Sequence, residues 1–154
     1  RGSEGFTADY VNTGSPHAVV FVPDLEEIDV VGIGRWMRNH PEFAPEGVNA
    51  NFVQVVDAQT LLLRTYERGV EAETMACGTG SVASALAYRA RSAGSGPVSV
   101  KVRSGATLWV HLATTPDNAS PGLEGEAYNV FDGEALVENL SARMWALPGR
   151  REGS

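Results

Sequence analysis

The chain has 154 residues, enough for one domain with a real core and too few for two full ones. Its formal net charge of −7, with no basic stripe, argues against a nucleic-acid partner, and its apolar runs are too short to span a membrane. One cysteine and three scattered histidines leave no disulfide framework and point away from a metal centre.

Residues 1–6 read as a polar tail of the kind a vector supplies, and residues 148–154 as a disordered tail, with one domain over 7–147. Phe6 to Asn12 has strand character and Thr13-Gly14-Ser15-Pro16 is a turn. His17 to Val22 is a continuous apolar run of the buried-strand type, closed by Pro23-Asp24. Ile33 to Asn39 reads as a short helix with Ile33, Trp36 and Met37 on one face, stopped by His40-Pro41. Asn51 to Asp57 and Thr60 to Tyr66 form an antiparallel hairpin around Ala58-Gln59.

A second helix is expected over Gly78 to Ser92. Its first three turns are almost uncharged, which suits a helix surrounded by protein; Arg89 and Arg91 suit its solvated C-terminal end. Val98 to Val102 and Leu108 to Leu112 alternate as a second hairpin, Thr114 to Gly122 reads as loop, and Glu126 to Phe131 as a final strand before an Asp132-Gly133 turn. Many strands around one buried helix give an α+β fold class.

The chemistry gathers around the single cysteine, Cys77, which sits between Glu73-Thr74-Met75-Ala76 and Gly78-Thr79-Gly80 at the mouth of the second helix. Unpaired backbone N–H groups and the positive end of the helix dipole there favour thiolate over thiol. Gly78, Thr79 and Gly80 offer N–H groups to an anion. The strand from Thr60 delivers Glu67 and Arg68: an arginine for a carboxylate and an acid for an ammonium group, the ends of a small zwitterion. Taken singly, these features are ordinary: a small buried thiol, a surface ion pair, loop glycines, and in His17 a satisfied core histidine.

Together they resemble a known family. Tyr66-Glu67-Arg68-Gly69-Val70, followed by Glu73-Thr74-x-Ala76-Cys77-Gly78-Thr79-Gly80, is similar to the second cysteine motif of diaminopimelate epimerases. Asn12 to Val22 resembles that family's Gly-Asn-Pro-His strand, and Gly47 to Val53 its asparagine-bearing segment. The resemblance covers roughly residues 7 to 140, as the C-terminal half of a two-domain chain. It implies antiparallel strands curled into a barrel-like sheet around one central helix. It also implies a cofactor-independent epimerisation of diaminopimelate, in which one cysteine thiolate removes the α-proton and a second thiol protonates the opposite face.

By that resemblance Cys77 is one of the acid/base pair, and His17 and Glu67 tune the thiols. Glu67, Arg68 and Asn49 hold the distal end of the substrate, and Gly78 and Thr79 bind the α-carboxylate. Ser15 stands where the family usually carries a substrate-binding asparagine, and the Val70-to-Glu73 loop is one residue longer than the family's commonest form. The implied partners are a small-molecule substrate and the missing N-terminal domain with its second cysteine; a homodimer is left open. The location implied is the cytoplasm, with no cofactor, no nucleic acid and no membrane. The isolated chain is expected to be inactive, with an exposed, readily alkylated thiol. The alternatives are a non-catalytic binding or assembly module of epimerase origin, or a proline racemase-like enzyme, a family without the Tyr-Glu-Arg-Gly lead-in.

Overall fold

The computed structural model describes residues 6–112 and 120–134. β1 (Asp9–Asn12) turns back through Gly14, at φ +94°, and pairs antiparallel with β2 (Pro16–Phe21). That φ is open to glycine at little cost, and it carries Ser15 into the turn. The chain then crosses over through α1 (Val30–Arg38) and returns as β3 (Asn49–Val55), parallel to β2. β4 (Thr60–Glu67) pairs antiparallel with β3 as the hairpin the alternation predicts.

A short β5 (Ala72–Thr74) folds back on the end of β4, covering Thr65 to Glu67. The chain next forms α2 (Gly78–Arg91) and returns as β6 (Val98–Lys101), parallel to the start of β4 along Thr60 to Leu62. One edge of β4 is therefore shared by two strands. Arg64 lies between the two segments and closes the split with bonds of 2.7 and 2.9 Å to Glu73 and 2.9 Å to the Leu25 carbonyl. β7 (Thr107–His111) and β8 (Gly122–Glu124) complete a sheet of eight strands among the described residues.

The two crossovers place their helices on opposite faces of the sheet. Strand side chains alternate between faces, so Val19, Val53, Leu61 and Leu63 pack under α2, while Ala18, Val20, Ala50, Phe52 and Tyr66 pack with Val30 and Met37 of α1. Helix α1 starts where Asp29 caps it, its carboxylate accepting from the Gly32 N–H at 2.9 Å. Gly34 lies against the Tyr66 ring, where a Cβ would collide with the tyrosine side chain. Helix α2 has almost no charge in its first three turns because Gly80 to Ala85, Ala87 and Tyr88 are all buried.

The expected α+β class with a curled, barrel-like sheet holds. Its strands are mixed rather than antiparallel, since β2–β3 and β4–β6 run parallel. A parallel pair needs a crossover connection, and both helices are those crossovers. Trp36 does not join the α1 core; it is 55% exposed, and the buried stripe is Val30, Gly34 and Met37. Glu126 to Phe131 forms no strand, because the edge of β7 is already paired to Gly122–Glu124, and Tyr128, Val130 and Phe131 are exposed. Gly122 thus belongs to a strand; residues 114–119 of the expected loop lie outside the described residues, as do both expected tails apart from Phe6.

Candidate active site at the mouth of helix α2

The α2 face of the sheet is apolar at its centre and polar toward the helix mouth. On the strands that carry the apolar contacts, His17 precedes Val19 by two residues on β2, Asn49 and Asn51 precede Val53 on β3, and Thr65 and Glu67 follow Leu63 on β4. Period-two alternation therefore sets one imidazole, two amides, a hydroxyl and a carboxylate on the side that carries α2. Cross-strand register puts His17 beside Asn49 and Asn51 beside Thr65.

Cys77 is the N-cap of α2, with extended backbone, and its Sγ accepts from the Gly80 N–H at 3.4 Å. Its carbonyl takes the first intrahelical bond, from Ser81, so the Gly78 and Thr79 N–H groups precede the helical ladder. The Thr79 hydroxyl lies 3.6 Å from the sulfur. Thr79 is fixed in turn by the Thr13 hydroxyl, which donates to its carbonyl at 3.2 Å.

The electrostatics correct the expectation for the thiol. Cys77 is only 7% exposed, and burial pushes its pKa up. Bonds from Thr79 and Gly80 pull it back down, and the Glu67 carboxylate adds to the rise. Desolvation of a thiolate outweighs the helix end, so the group is a buried thiol rather than an exposed thiolate. Alkylation of native Cys77 at pH 7 should be at least about tenfold slower than in the urea-unfolded chain, and should speed up as pH rises beyond the ordinary thiol range. Equal rates in the two states would contradict the burial.

His17 is fully buried, with Ser15 Oγ 3.0 Å from Nε2 and Asn51 Nδ2 3.0 Å from Nδ1. Burial lowers its pKa to about 4, and the Arg68 charge adds to the fall. The unfolded state therefore binds more protons between about pH 6.5 and 4. The stability this neutral imidazole contributes is whole above pH 6.5 and is lost as pH falls toward 4. Between pH 7.5 and 5 the loss should be about 2 kcal/mol, read from urea melts at the two pH values; a flat profile over that range would count against a neutral buried ring.

Arg68 and Glu67 end β4 at the same rim. The Arg68 N–H donates to Asn49 Oδ1 at 2.9 Å, and Asn49 Nδ2 donates to the Pro16 carbonyl at 3.1 Å, so Asn49 ties the Glu67-Arg68 corner to β2. The Arg68 guanidinium donates to the Glu46 carbonyl at 3.2 Å. Among the described residues Glu67 makes no ion pair, unlike Glu73, whose carboxyl Arg64 holds below the usual carboxylate range. Ser15 lies 3.4 Å from the Thr79 hydroxyl.

Ser15, His17, Asn49, Glu67, Cys77, Gly78 and Thr79 thus lie toward one end of the α2 face, while Arg68 joins them through its backbone N–H and turns its guanidinium to the Glu46 carbonyl. Asn51, Thr65 and Thr13 were not singled out. The signal for the first two was a polar residue inside an apolar strand run, in step with buried rather than exposed positions. Among the described residues no group of three or more His, Cys, Asp or Glu side chains could hold a metal ion. No helix among them is long and apolar enough to cross a membrane.

The fold is similar to part of two solved phenazine biosynthesis proteins of the PhzF family. One, from Bacillus anthracis, aligns with a TM-score of 0.52 at 19% identity over 73% of this chain and 36% of that one. The other, from Enterococcus faecalis, aligns with a TM-score of 0.51 at 22% identity over 71% of this chain and 40% of that one. At the sequence level the match is to a narrower group: the model of the diaminopimelate epimerase family covers residues 9–118.

The diaminopimelate epimerase of Aquifex aeolicus is 46% identical over 132 residues, 85% of this chain and 47% of that protein. That of Chlorobaculum tepidum is 45% identical over 125 residues, 80% of this chain and 48% of that protein. The chain belongs to the diaminopimelate epimerase family. It spans about half the length of these curated relatives.

Proposed function

We propose that this chain is one half of a cofactor-independent diaminopimelate epimerase, with Cys77 as one of two thiols that exchange the α-proton of the substrate. The observation that carries the reading is the placement of the chain's sole cysteine as the N-cap of α2, in a chain whose family and motif are those of the epimerases. A thiolate on one side of the α-carbon takes its proton, leaving a carbanion delocalised into the carboxylate. A thiol on the other side delivers a proton with inverted configuration, and the reverse reaction exchanges the roles.

This chain has one sulfur of that kind, so the second comes from outside it, from an N-terminal domain. Burial keeps Cys77 protonated in the open half, which suits the donor role. The Gly80 N–H and the Thr79 hydroxyl supply the bonds its thiolate needs in the other direction. N–H groups of Gly78 and Thr79 receive the α-carboxylate as its charge grows. Glu67 and Arg68 take the distal ammonium and carboxylate, held in place by Asn49. Ser15, shorter than an asparagine, reaches Thr79 and His17. The reaction would be cytoplasmic, in the supply of lysine and cell-wall precursors.

The reading is tested by fusing the N-terminal half of the Aquifex aeolicus relative to residues 9–154 of this chain. The fusion is expected to interconvert LL- and meso-diaminopimelate and to leave proline unchanged. A folded fusion that acts on neither would overturn the reading, and one that racemises proline would replace its substrate.

A further inference from the structure

The direction of the hydrogen bonds around His17 is fixed by groups that can act in only one way. The amide nitrogen of Asn51 faces the carbonyl oxygens of Asn49 at 3.3 Å and Ala18 at 3.4 Å, besides His17 Nδ1 at 3.0 Å. Carbonyls only accept, so this end of the amide must be the NH₂ group. Its other end, Oδ1, accepts from the Thr65 hydroxyl at 3.0 Å. Nδ1 of His17 therefore presents its lone pair, and the neutral ring carries its proton on Nε2.

That proton points to Ser15 Oγ at 3.0 Å. Having accepted there, Ser15 directs its own proton to Thr79 Oγ1 at 3.4 Å, and the Thr79 proton is left for Cys77 Sγ at 3.6 Å. The same amide also touches the helix. A Cβ on Gly80 would lie 2.5 Å from Asn51 Oδ1, so the first turn of α2 packs against Asn51 only because position 80 has no side chain.

We propose that Asn51 is a positioning residue that locks His17 as a permanent Nε2–H donor, so that Ser15 and Thr79 transmit a one-way chain of hydrogen bonds ending on the Cys77 sulfur. In this arrangement the imidazole does not accept the thiol proton, because the nitrogen on its Ser15 side already carries one. It instead biases the last hydroxyl toward sulfur, favouring thiolate against the two effects that oppose it, burial and the Glu67 carboxylate. The charged groups facing this chain are Glu67 on β4 and Arg68 just after it; the Arg68 charge disfavours a second proton on His17 and so keeps the chain one-way.

The proposal bears on the thiol of the epimerase reading but is tested without substrate, so either can fail while the other stands. In the ¹⁵N-labelled chain at pH 7, long-range proton–nitrogen spectra of His17 should show a bare Nδ1 and a protonated Nε2. A protonated Nδ1 would overturn the assignment. The pH profile of Cys77 alkylation gives the second readout. Ser15→Ala breaks the chain at a half-buried site, and Asn51→Leu removes the lock within the core. Each should shift the profile to higher pH, with a roughly three- to tenfold slower rate at pH 8. Asn51→Leu should also mix the His17 tautomers. An unchanged profile in folded Ser15→Ala would sink the transmission to sulfur, whether or not Asn51→Leu folds. An unchanged tautomer in folded Asn51→Leu would leave Asn51 a purely structural amide.

Discussion

In the fusion enzyme, Cys77→Ala is expected to cut epimerisation by on the order of 10²–10⁴-fold with little change in KM, the cost of removing a group that moves a proton in the transition state. Alanine fits the site without strain, because Cys77 is already small and almost enclosed, and the loss should not reflect unfolding. The helix keeps its first intrahelical bond, which uses the Cys77 carbonyl rather than its sulfur. What disappears is the acceptor for the Gly80 N–H and the sulfur beside the Thr79 hydroxyl. Steady-state kinetics with LL-diaminopimelate reads the change. A variant that keeps even a tenth of the parent rate would remove Cys77 from the chemistry.

Phe52→Ala should destabilise the chain by about 3–5 kcal/mol in urea titration, a large share of the stability of an ordinary domain. Phe52 is fully buried on the α1 face, among Val20, Met37 and Tyr66, midway along a strand paired on both edges. The strands on either side and the helix above are fixed by other contacts, so the site cannot collapse into the cavity. A cost below about 1 kcal/mol would mean that α1 packs far more loosely than its core indicates.

The parts of this fold that could be read from the chain are those whose signal is local. The hairpins of β3 with β4 and β6 with β7 announce themselves by alternation, and α2 by a helical stretch, uncharged in its first three turns, between Cys77 and the Gly94-to-Pro97 punctuation. The parallel pairs are not local. Nothing in His17 to Phe21 says that its neighbour is Asn49 to Val53, thirty residues on and across a helix. Ala72–Thr74 is too short and polar to look like a strand; it is one only because the far end of β4 offers an edge. Glu126 to Phe131 is the converse, a segment with strand-like side chains that pairs with no strand among the described residues.

The site shows the same division. The motif from Tyr66 to Gly80 and the Ser15-Pro16-His17 turn are visible because residue type and spacing are themselves the signal. Asn51 and Thr65 stayed hidden, since a polar residue in a strand usually marks the wet face, and only the register with His17 and α2 puts these two on the dry one. The state of the thiol was misjudged for an energetic reason. The helix end acts on Cys77 in the expected direction, but burial acts against it more strongly, and burial is a property of the assembled fold.

The central claim is that this chain supplies one of two thiols and needs the other from elsewhere. Its most direct test is the incorporation of solvent deuterium at the α-carbon of diaminopimelate by the purified 154-residue chain alone. The account predicts no conversion between LL and meso forms and no deuterium above the enzyme-free control, under conditions where the fusion enzyme incorporates it readily. Deuterium incorporated with inversion by the chain alone, and lost in its Cys77→Ala variant, would contradict it.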